Sequence, residues 1–220
     1  MRKYLILLIL TGSLNLYAQI DPHFSQYYVY PSFLNPALTG VFNGTTRFSS
    51  IYRNQWQAIS TPFSTKGIAA DFSTNKNVNL GFGVINQSAG DGGYMYNTGH
   101  VNFAYTGVKF GAEGFGRLVL ALQAGVIDRR FNPAKLSFGD QWNPVTGYSP
   151  SNPTAEVFRN TSSTSLDVGA GLLFYDANPS HKANLYFGAS VSHLSKPQDN
   201  FSSTIITRIP YRFIGHAGAR

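Results

Sequence analysis

The sequence predicts an all-β fold, an antiparallel transmembrane β-barrel, and three observations lead to this prediction. Apolar and small polar residues alternate with a period of two in several segments. Charged residues make up only 12% of the chain, roughly half of their usual share in soluble domains. The connections between the predicted strands are alternately short and long, which is typical of outer-membrane barrels.

Residues 1–18 have the pattern of a secretory signal peptide. Arg2 and Lys3 precede an apolar run, and the segment ends at Ala18, a small residue of the kind that signal peptidases require. The run is too short for a membrane span and lacks the amphipathic period of an N-terminal helix. We therefore expect an exported chain that begins at Gln19 and resides in the cell outer membrane.

The composition excludes several classes of site and partner. The chain has no cysteine, which excludes disulfides and thiolate metal sites. Its formal net charge is +7, but no Lys/Arg cluster extends beyond Arg129-Arg130, so we expect no nucleic-acid partner. No segment after the leader reaches the length of a helical membrane span. Because so few charges are available to keep the surface in water, we expect outer-membrane lipid to cover much of it.

The alternation gives each strand two chemically different faces. Apolar residues occupy the even positions from Leu118 and from Leu166, and the odd positions from Leu185. The opposite positions hold mostly Gly, Ser, Asn, Thr and Gln. A soluble sandwich, the alternative architecture, would instead place Lys, Glu, Asp and Arg on its wet face. Small polar residues suit the lumen of a barrel whose apolar face contacts lipid.

Eight strands follow from this pattern, and the lengths of their connections support the barrel. The short connections are STNKN, GAEGF and DANPSHKAN, the long ones are residues 86–99, 132–164 and 193–210, and residues 57–63 are intermediate. The last strand stops in mid-alternation, so we expect a partial barrel with C-terminal strands missing. The predicted strands are Thr45–Tyr52, Ser64–Phe72, Val78–Gln87, His100–Phe110, Gly116–Phe131, Ser165–Tyr175, Leu185–Ser192 and Tyr211–Arg220.

Residues 19–44 precede the first strand, and we interpret them as a plug and turn segment before a barrel at 45–220. The stretch FSQYY is rich in aromatic and amide groups, and NPALTG is a bend that ends in a glycine turn. Such a segment can fold inward against a polar lumen wall. The alternative is a loose periplasmic tail, which would leave aromatic side chains in water at a cost in free energy.

The sequence contains no constellation that indicates catalysis. It has no GxSxG elbow, HExxH motif, P-loop or EF-hand loop. The five histidines lack the spacing of metal ligands, so we expect neither enzymatic activity nor a cofactor. Asp71 and Asp167 fall on predicted lumen faces, where Arg53 or Arg47 are candidate partners.

Four stretches occur in an order that resembles a known family. DPHFSQYYVYPSFLNPALTG is followed by YRNQW, NVNLGFGVINQSAG and NFAYTGVKF. This order resembles the PorP/SprF family of type IX secretion and gliding-motility membrane proteins of the Bacteroidetes. An NPA turn alone is shared with FadL-type barrels, but the combination of FSQY, LNPAxTG and YRxQW is specific. The resemblance runs from Gln19 to about Arg220.

The resemblance implies a non-enzymatic, FadL-like outer-membrane β-barrel. Full members have about fourteen strands, of which about eight would lie in this chain. Members help to export or anchor secreted adhesins that carry a type B C-terminal sorting domain, beside the type IX translocon or its periplasmic ring proteins. A FadL-like or porin-like transporter of a small solute is the alternative function.

The resemblance also implies two groups of site residues. Each also has a purely structural interpretation, and Tyr52 and Trp56 fit the aromatic girdle at a membrane interface equally well. The plug and turn group is Phe24, Ser25, Gln26, Tyr27, Asn35, Pro36, Ala37 and Gly40, and the group at the end of the first strand is Tyr52, Arg53, Gln55 and Trp56.

Overall fold

A computed structural model describes residues 21–59, 61–74, 76–111, 113–201 and 207–220. The predicted signal peptide at residues 1–18 lies outside the described residues. Helices are short: one α-helical turn at Pro31–Leu34, and 3-10 turns at Tyr27–Val29, Pro36–Leu38, Pro133–Lys135 and Gly139–Gln141. In the described part of the chain, no helix is long and apolar enough to cross a membrane.

Strands dominate the fold, and each predicted strand corresponds to one strand of a single large sheet. Within the described ranges this main sheet has eight strands in the order β1-β2-β3-β4-β5-β8-β9-β12, and the remaining short strands pair as β6-β7 and β10-β11. The strands are β1 Thr46–Gln55, β2 Phe63–Ser73, β3 Val78–Ala89, β4 Tyr94–Phe110, β5 Gly116–Arg130, β6 Trp142–Asn143, β7 Gly147–Tyr148, β8 Ser162–Asp176, β9 Leu185–Ser192, β10 Gln198–Asp199, β11 Thr207–Arg208 and β12 Arg212–Ala219.

The main sheet is antiparallel throughout and curls into a half-barrel with β1 and β12 at its edges. Neighbours in the sheet follow one another along the chain, apart from the short hairpins in the connections. This up-and-down order confirms the predicted all-β, antiparallel barrel class. The concave side is covered by residues 21–44, and no second sheet covers it among the described residues.

The two faces of the sheet carry the chemistry that the alternation predicts. On the convex face large apolar side chains are exposed, including Leu122 at 61% and Leu166 at 72%. On the concave face small or polar residues such as Asn79, Asn102 and Ser190 are buried. Since successive side chains of a strand point to opposite faces, period two in the sequence becomes an apolar outer surface and an inner surface of small and polar residues with a few buried aliphatic ones, such as Ile85 and Val119.

The predicted long connection at residues 86–99 is wrong. Residues of β3 up to Ala89 pair with β4 from Tyr94 onward, so the turn is confined to residues 90–93. Gly90 and Gly93 have positive φ angles, which permits this tight turn. The prediction failed because residues 86–88 of β3 are polar on both faces and residues 94–96 of β4 are large and apolar or aromatic on both faces, so neither stretch shows the apolar alternation of a strand. Residues 131–161 and the segment after β9 keep long connections.

An arginine on the convex face tests whether this face contacts lipid. Replacing Leu122 by Arg should destabilise the protein in lipid vesicles by about 2–4 kcal/mol, the usual cost of a cationic side chain near the bilayer midplane. Denaturant unfolding in vesicles measures the change. Val145→Arg is the matched control, because Val145 is 92% exposed in the connection after β5. Equal destabilisation by the two variants would contradict a lipid-facing convex surface.

Candidate functional site

The candidate site is the contact between the concave face and residues 21–44, here called the N-terminal segment. The Tyr30 hydroxyl donates to the carbonyl oxygen of Ile68 on β2 at 3.1 Å. At the opposite side of the sheet, the Ser190 hydroxyl on β9 donates to the carbonyl oxygen of Leu34 at 2.9 Å. The N-terminal segment thus contacts strands near both edges of the main sheet. This is possible because the sheet curls around the segment.

Asn35 is the most completely engaged polar residue of this contact. Its side chain is fully buried, and Nδ2 donates to the carbonyl oxygens of Leu172 on β8 at 2.9 Å and Ala189 on β9 at 3.3 Å. Nδ2 also lies 3.0 Å from Nε2 of His216 on β12. The Oδ1 atom accepts from the Ala37 amide at 2.9 Å. One amide side chain therefore connects three strands to the segment.

The local sequence around Asn35 explains how the chain presents this side chain. Pro36 begins a 3-10 turn, where its fixed φ and missing amide hydrogen are tolerated, and Asn35 caps that turn. Ala37 is fully buried against small and aliphatic side chains of the sheet, including Ala104 and Val119. Gly40 then has a φ of +70°, as expected for the predicted glycine turn.

Glycines on the concave face make room for the segment. A Cβ at Gly171 would lie 2.1 Å from Oδ1 of Asn35, and a Cβ at Gly83 would lie 2.1 Å from the Tyr30 hydroxyl. Neither site can hold a larger residue without moving the segment. The glycines of the predicted lumen face therefore lie where the segment approaches the backbone most closely.

An aromatic cluster anchors the first part of the segment. Phe24 and Tyr30 are buried together with Ala69 and Ile85 of the sheet. The rings of Phe24 and Tyr30 have centroids 5.8 Å apart, within the range of favourable aromatic pairs. Burial of Phe24 keeps a large apolar side chain out of water.

A charged cluster, here called the Asp21 cluster, holds the beginning of the described segment. Oδ2 of Asp21 accepts from Arg212 of β12 at 2.9 Å and lies 2.8 Å from Nε2 of His193. The Tyr96 hydroxyl of β4 donates to Oδ1 at 3.1 Å. The other ring nitrogen of His193 lies 3.0 Å from Oδ1 of Asp167 on β8. The cluster joins the segment to strands that are far apart in the chain.

The charge state of His193 follows from its two carboxylate neighbours. His193 lies in the connection that follows β9. Burial lowers its pKa, but the hydrogen bonds and negative charges of Asp167 and Asp21 outweigh burial and raise the pKa to about 9. A protonated imidazole can donate from both ring nitrogens, which matches its position between the two acids.

The structure brings together only part of the predicted plug group. Phe24, Asn35, Pro36, Ala37 and Gly40 are buried against the concave face. The three residues that follow Phe24 point away from it, and Tyr27 is 57% exposed beside β1. The exposed residues of the plug group are Ser25, Gln26 and Tyr27.

The group at the end of β1 does not form one site either. Arg53 points to the concave side and donates to the carbonyl oxygen of His23 at 2.7 Å, so it holds the segment. Tyr52 points to the convex side, while Gln55 is half-buried at the strand end. Trp56 has a positive φ, is 60% exposed and packs edge-on against Phe63. The positions of Tyr52 and Trp56 fit the aromatic-girdle interpretation.

Of the ion pairs predicted for Asp71 and Asp167, the structure contains one. Asp71 forms an ion pair with Arg47, as predicted. Asp167 instead contacts His193, which sequence reasoning had left unassigned. In the sequence, the only signal for this cluster was that the alternation places Asp167 and Arg212 on the concave sides of two separate strands. Alternation alone does not indicate which residues of different strands meet.

The comparisons with known proteins identify a family. The sequence model described as type IX secretion system membrane protein PorP/SprF matches residues 16–220. No curated protein and no solved structure matches the chain significantly.

Two Asn-Pro-Ala turns in this chain allow a matched test of Asn35. Asn35→Ala should lower the free energy of unfolding by about 1–3 kcal/mol, because it leaves buried carbonyl groups without their donor. Asn132 makes the same turn contact, from its Oδ1 to the Ala134 amide, but it is exposed. Asn132→Ala should therefore cost much less in the same denaturant titration. Similar losses would show that the turn, and not the contacts with the strands, accounts for the effect.

The Asp21 cluster predicts a pH dependence of stability. The pKa of His193 in the folded protein, about 9, lies above its ordinary value of 6.5. Its stabilising contribution is therefore complete below about pH 6.5 and is lost as the pH rises through about 9. Thermal unfolding between neutral pH and pH 10 should show a falling melting temperature, and His193→Asn should flatten this fall. His181→Asn is the control, since His181 is exposed. An unchanged fall in the His193 variant would refute the assignment.

Proposed function

The chain belongs to the PorP/SprF family of type IX secretion system membrane proteins, and from this membership we propose that it is a non-enzymatic outer-membrane component that helps to export or anchor secreted adhesins. The cargo in this proposal carries a type B C-terminal sorting domain, and the translocon or its periplasmic ring proteins are the other partners. Gliding motility and a Bacteroidetes source belong to the same proposal, as does export by the signal peptide at residues 1–18.

The observation that carries the proposal is the occupied concave face. The N-terminal segment is held by hydrogen bonds or ion pairs at Tyr30, Asn35 and Asp21, so it acts in this proposal as a plug at residues 19–44 of a partial barrel at 45–220. A channel for small solutes requires an open path along this face. A component that holds protein cargo at its surface does not.

Exposed apolar side chains in the long connection after β5 support a protein-sized contact surface. Val145 and Val157 are among the most exposed apolar residues described, and Trp142 is also exposed. Exposed apolar groups outside a lipid-facing belt are typical of interaction sites. In this proposal outer-membrane lipid covers the convex face, and cargo contacts the long connections and the exposed residues of the FSQY stretch, such as Gln26.

Transport of a small solute, in the manner of FadL-like or porin-like proteins, is the second candidate. One observation favours it: a cavity of about 970 Å³ opens at the end of the half-barrel that carries the short turns. This volume is within the range of small-molecule sites. The experiment below distinguishes the two functions.

Affinity purification of the full-length protein from its own outer membrane tests the proposal. With a tag inserted at Gly90, in the turn between β3 and β4 and outside the long connections, we expect a sorting-domain adhesin or periplasmic ring proteins to co-purify. Gln26→Ala should reduce that recovery severalfold, because this exposed amide belongs to the FSQY motif. Gln57→Ala, a change of another exposed glutamine outside the motif, should not.

The opposite result is equally specific. If only lipid co-purifies and the purified protein conducts ions across a planar bilayer, the transporter function replaces the proposed one. If both glutamine variants lose cargo equally, the FSQY motif has no special role in the contact.

A further inference from the structure

A β-bulge in β4 changes which face of the sheet its last residues occupy. Tyr105 pairs with Leu120 of β5, but the next paired residue of β4 is Val108, opposite Leu118. β4 therefore has one residue more than β5 between these two pairs. Such a bulge re-aims the side chains that follow it.

The bulge brings Lys109 to the concave face. Before it, odd-numbered residues of β4 such as Phe103 are exposed on the convex face, and even-numbered residues such as Ala104 are buried on the concave face. Without the extra residue Lys109 would continue the convex, apolar series. With it, Lys109 lies directly opposite Arg117, a concave residue of β5.

This arrangement places two positive charges side by side. Like charges directly opposite each other on neighbouring strands are destabilising. Among the described residues, neither Lys109 nor Arg117 takes part in an ion pair. Asp176, an acid that lines the same cavity, pairs with His181 instead. The bulge thus creates a repulsive pair that the described protein does not neutralise.

The pair lines the cavity of about 970 Å³ at the short-turn end of the half-barrel. Two further cationic side chains line it, Lys76 from the turn between β2 and β3 and Arg220 after β12. Between the cations the wall carries amide and phenol groups, including Asn77, Asn184 and Tyr175. Cations at the rim with hydrogen-bonding groups between them match the carboxylates and the backbone of a peptide.

We propose that this cavity binds an acidic peptide segment of a partner protein, with carboxylate groups seated between Lys109 and Arg117. A peptide fits better than a lipid headgroup, because the cavity lies on the concave face and combines its cations and amides with scattered apolar residues such as Leu38 and Leu173, which suit the side chains of a peptide. The apolar surface that acyl chains require is on the opposite, convex face, at residues such as Leu122. The site goes beyond the function proposed above and does not depend on which cargo the protein carries.

Peptide binding to the purified full chain in lipid nanodiscs tests the site. The probe is a fluorescein-labelled peptide of Glu-Gly repeats, and binding is followed by fluorescence anisotropy. The expected result is binding that weakens with added salt and that falls by on the order of tenfold in the Lys109→Gln/Arg117→Gln double variant. The variant removes a repulsive pair, so its folding should be preserved, and its unfolding midpoint is measured in parallel.

Two controls make the result decisive. Lys135→Gln/Arg159→Gln removes the same charge from exposed positions in the connection after β5 and should leave binding unchanged. A Gln-Gly repeat peptide should not bind. Equal losses in the two double variants, binding of the Gln-Gly peptide, or binding only of vesicles that contain anionic lipid would each overturn the proposal.

Discussion

The burial of one amide side chain, that of Asn35, constrains the rest of this structure. A buried amide is costly unless its donors and acceptor are all paired. Here the partners come from β8, β9 and β12 and from the segment itself. These strands can converge on one side chain only if the sheet curls, and they can approach it only where the sheet lacks side chains, as at Gly171. The curvature of the sheet, the position of Gly171 and the turn at Asn35 are thus all needed for the Asn35 amide to be buried with its hydrogen bonds made.

The same segment is held at a second point by charge. The Asp21 cluster draws together Tyr96, His193 and Arg212, while Asn35 acts further along the segment. Between the two points the aromatic cluster of Phe24 and Tyr30 excludes water. Three kinds of interaction therefore hold residues 21–44 on the concave face. In the proposed function, a concave face occupied in this way belongs to a component that supports the passage or retention of other proteins.

Features that follow from a local sequence pattern could be predicted, and features that depend on contacts between distant strands could not. The faces of β5, β8 and β9 were predictable because burial follows directly from alternation. The Asn35 turn was predictable because Pro36 and Gly40 restrict the backbone locally. The turn at residues 90–93 was missed because residues 86–88 before it and 94–96 after it do not alternate between polar and apolar. The Asp21 cluster was beyond prediction, since its members meet only after the sheet has curled. The bulge before Lys109 does show in the sequence, because the large apolar residues of β4 shift from odd positions up to Tyr105 to even positions from Val108.

Disulfide formation across the contact between segment and sheet tests the central claim most directly. The chain has no cysteine of its own, and a Cβ at Gly81 would lie 2.8 Å from Cγ2 of Thr39, which is within reach of a disulfide. Thr39→Cys/Gly81→Cys in outer membranes should therefore crosslink under mild oxidation. Thr39→Cys/Phe82→Cys should not, because Phe82 is exposed on the convex face. Absence of the first crosslink, or equal formation of both, would contradict a segment held on the concave face.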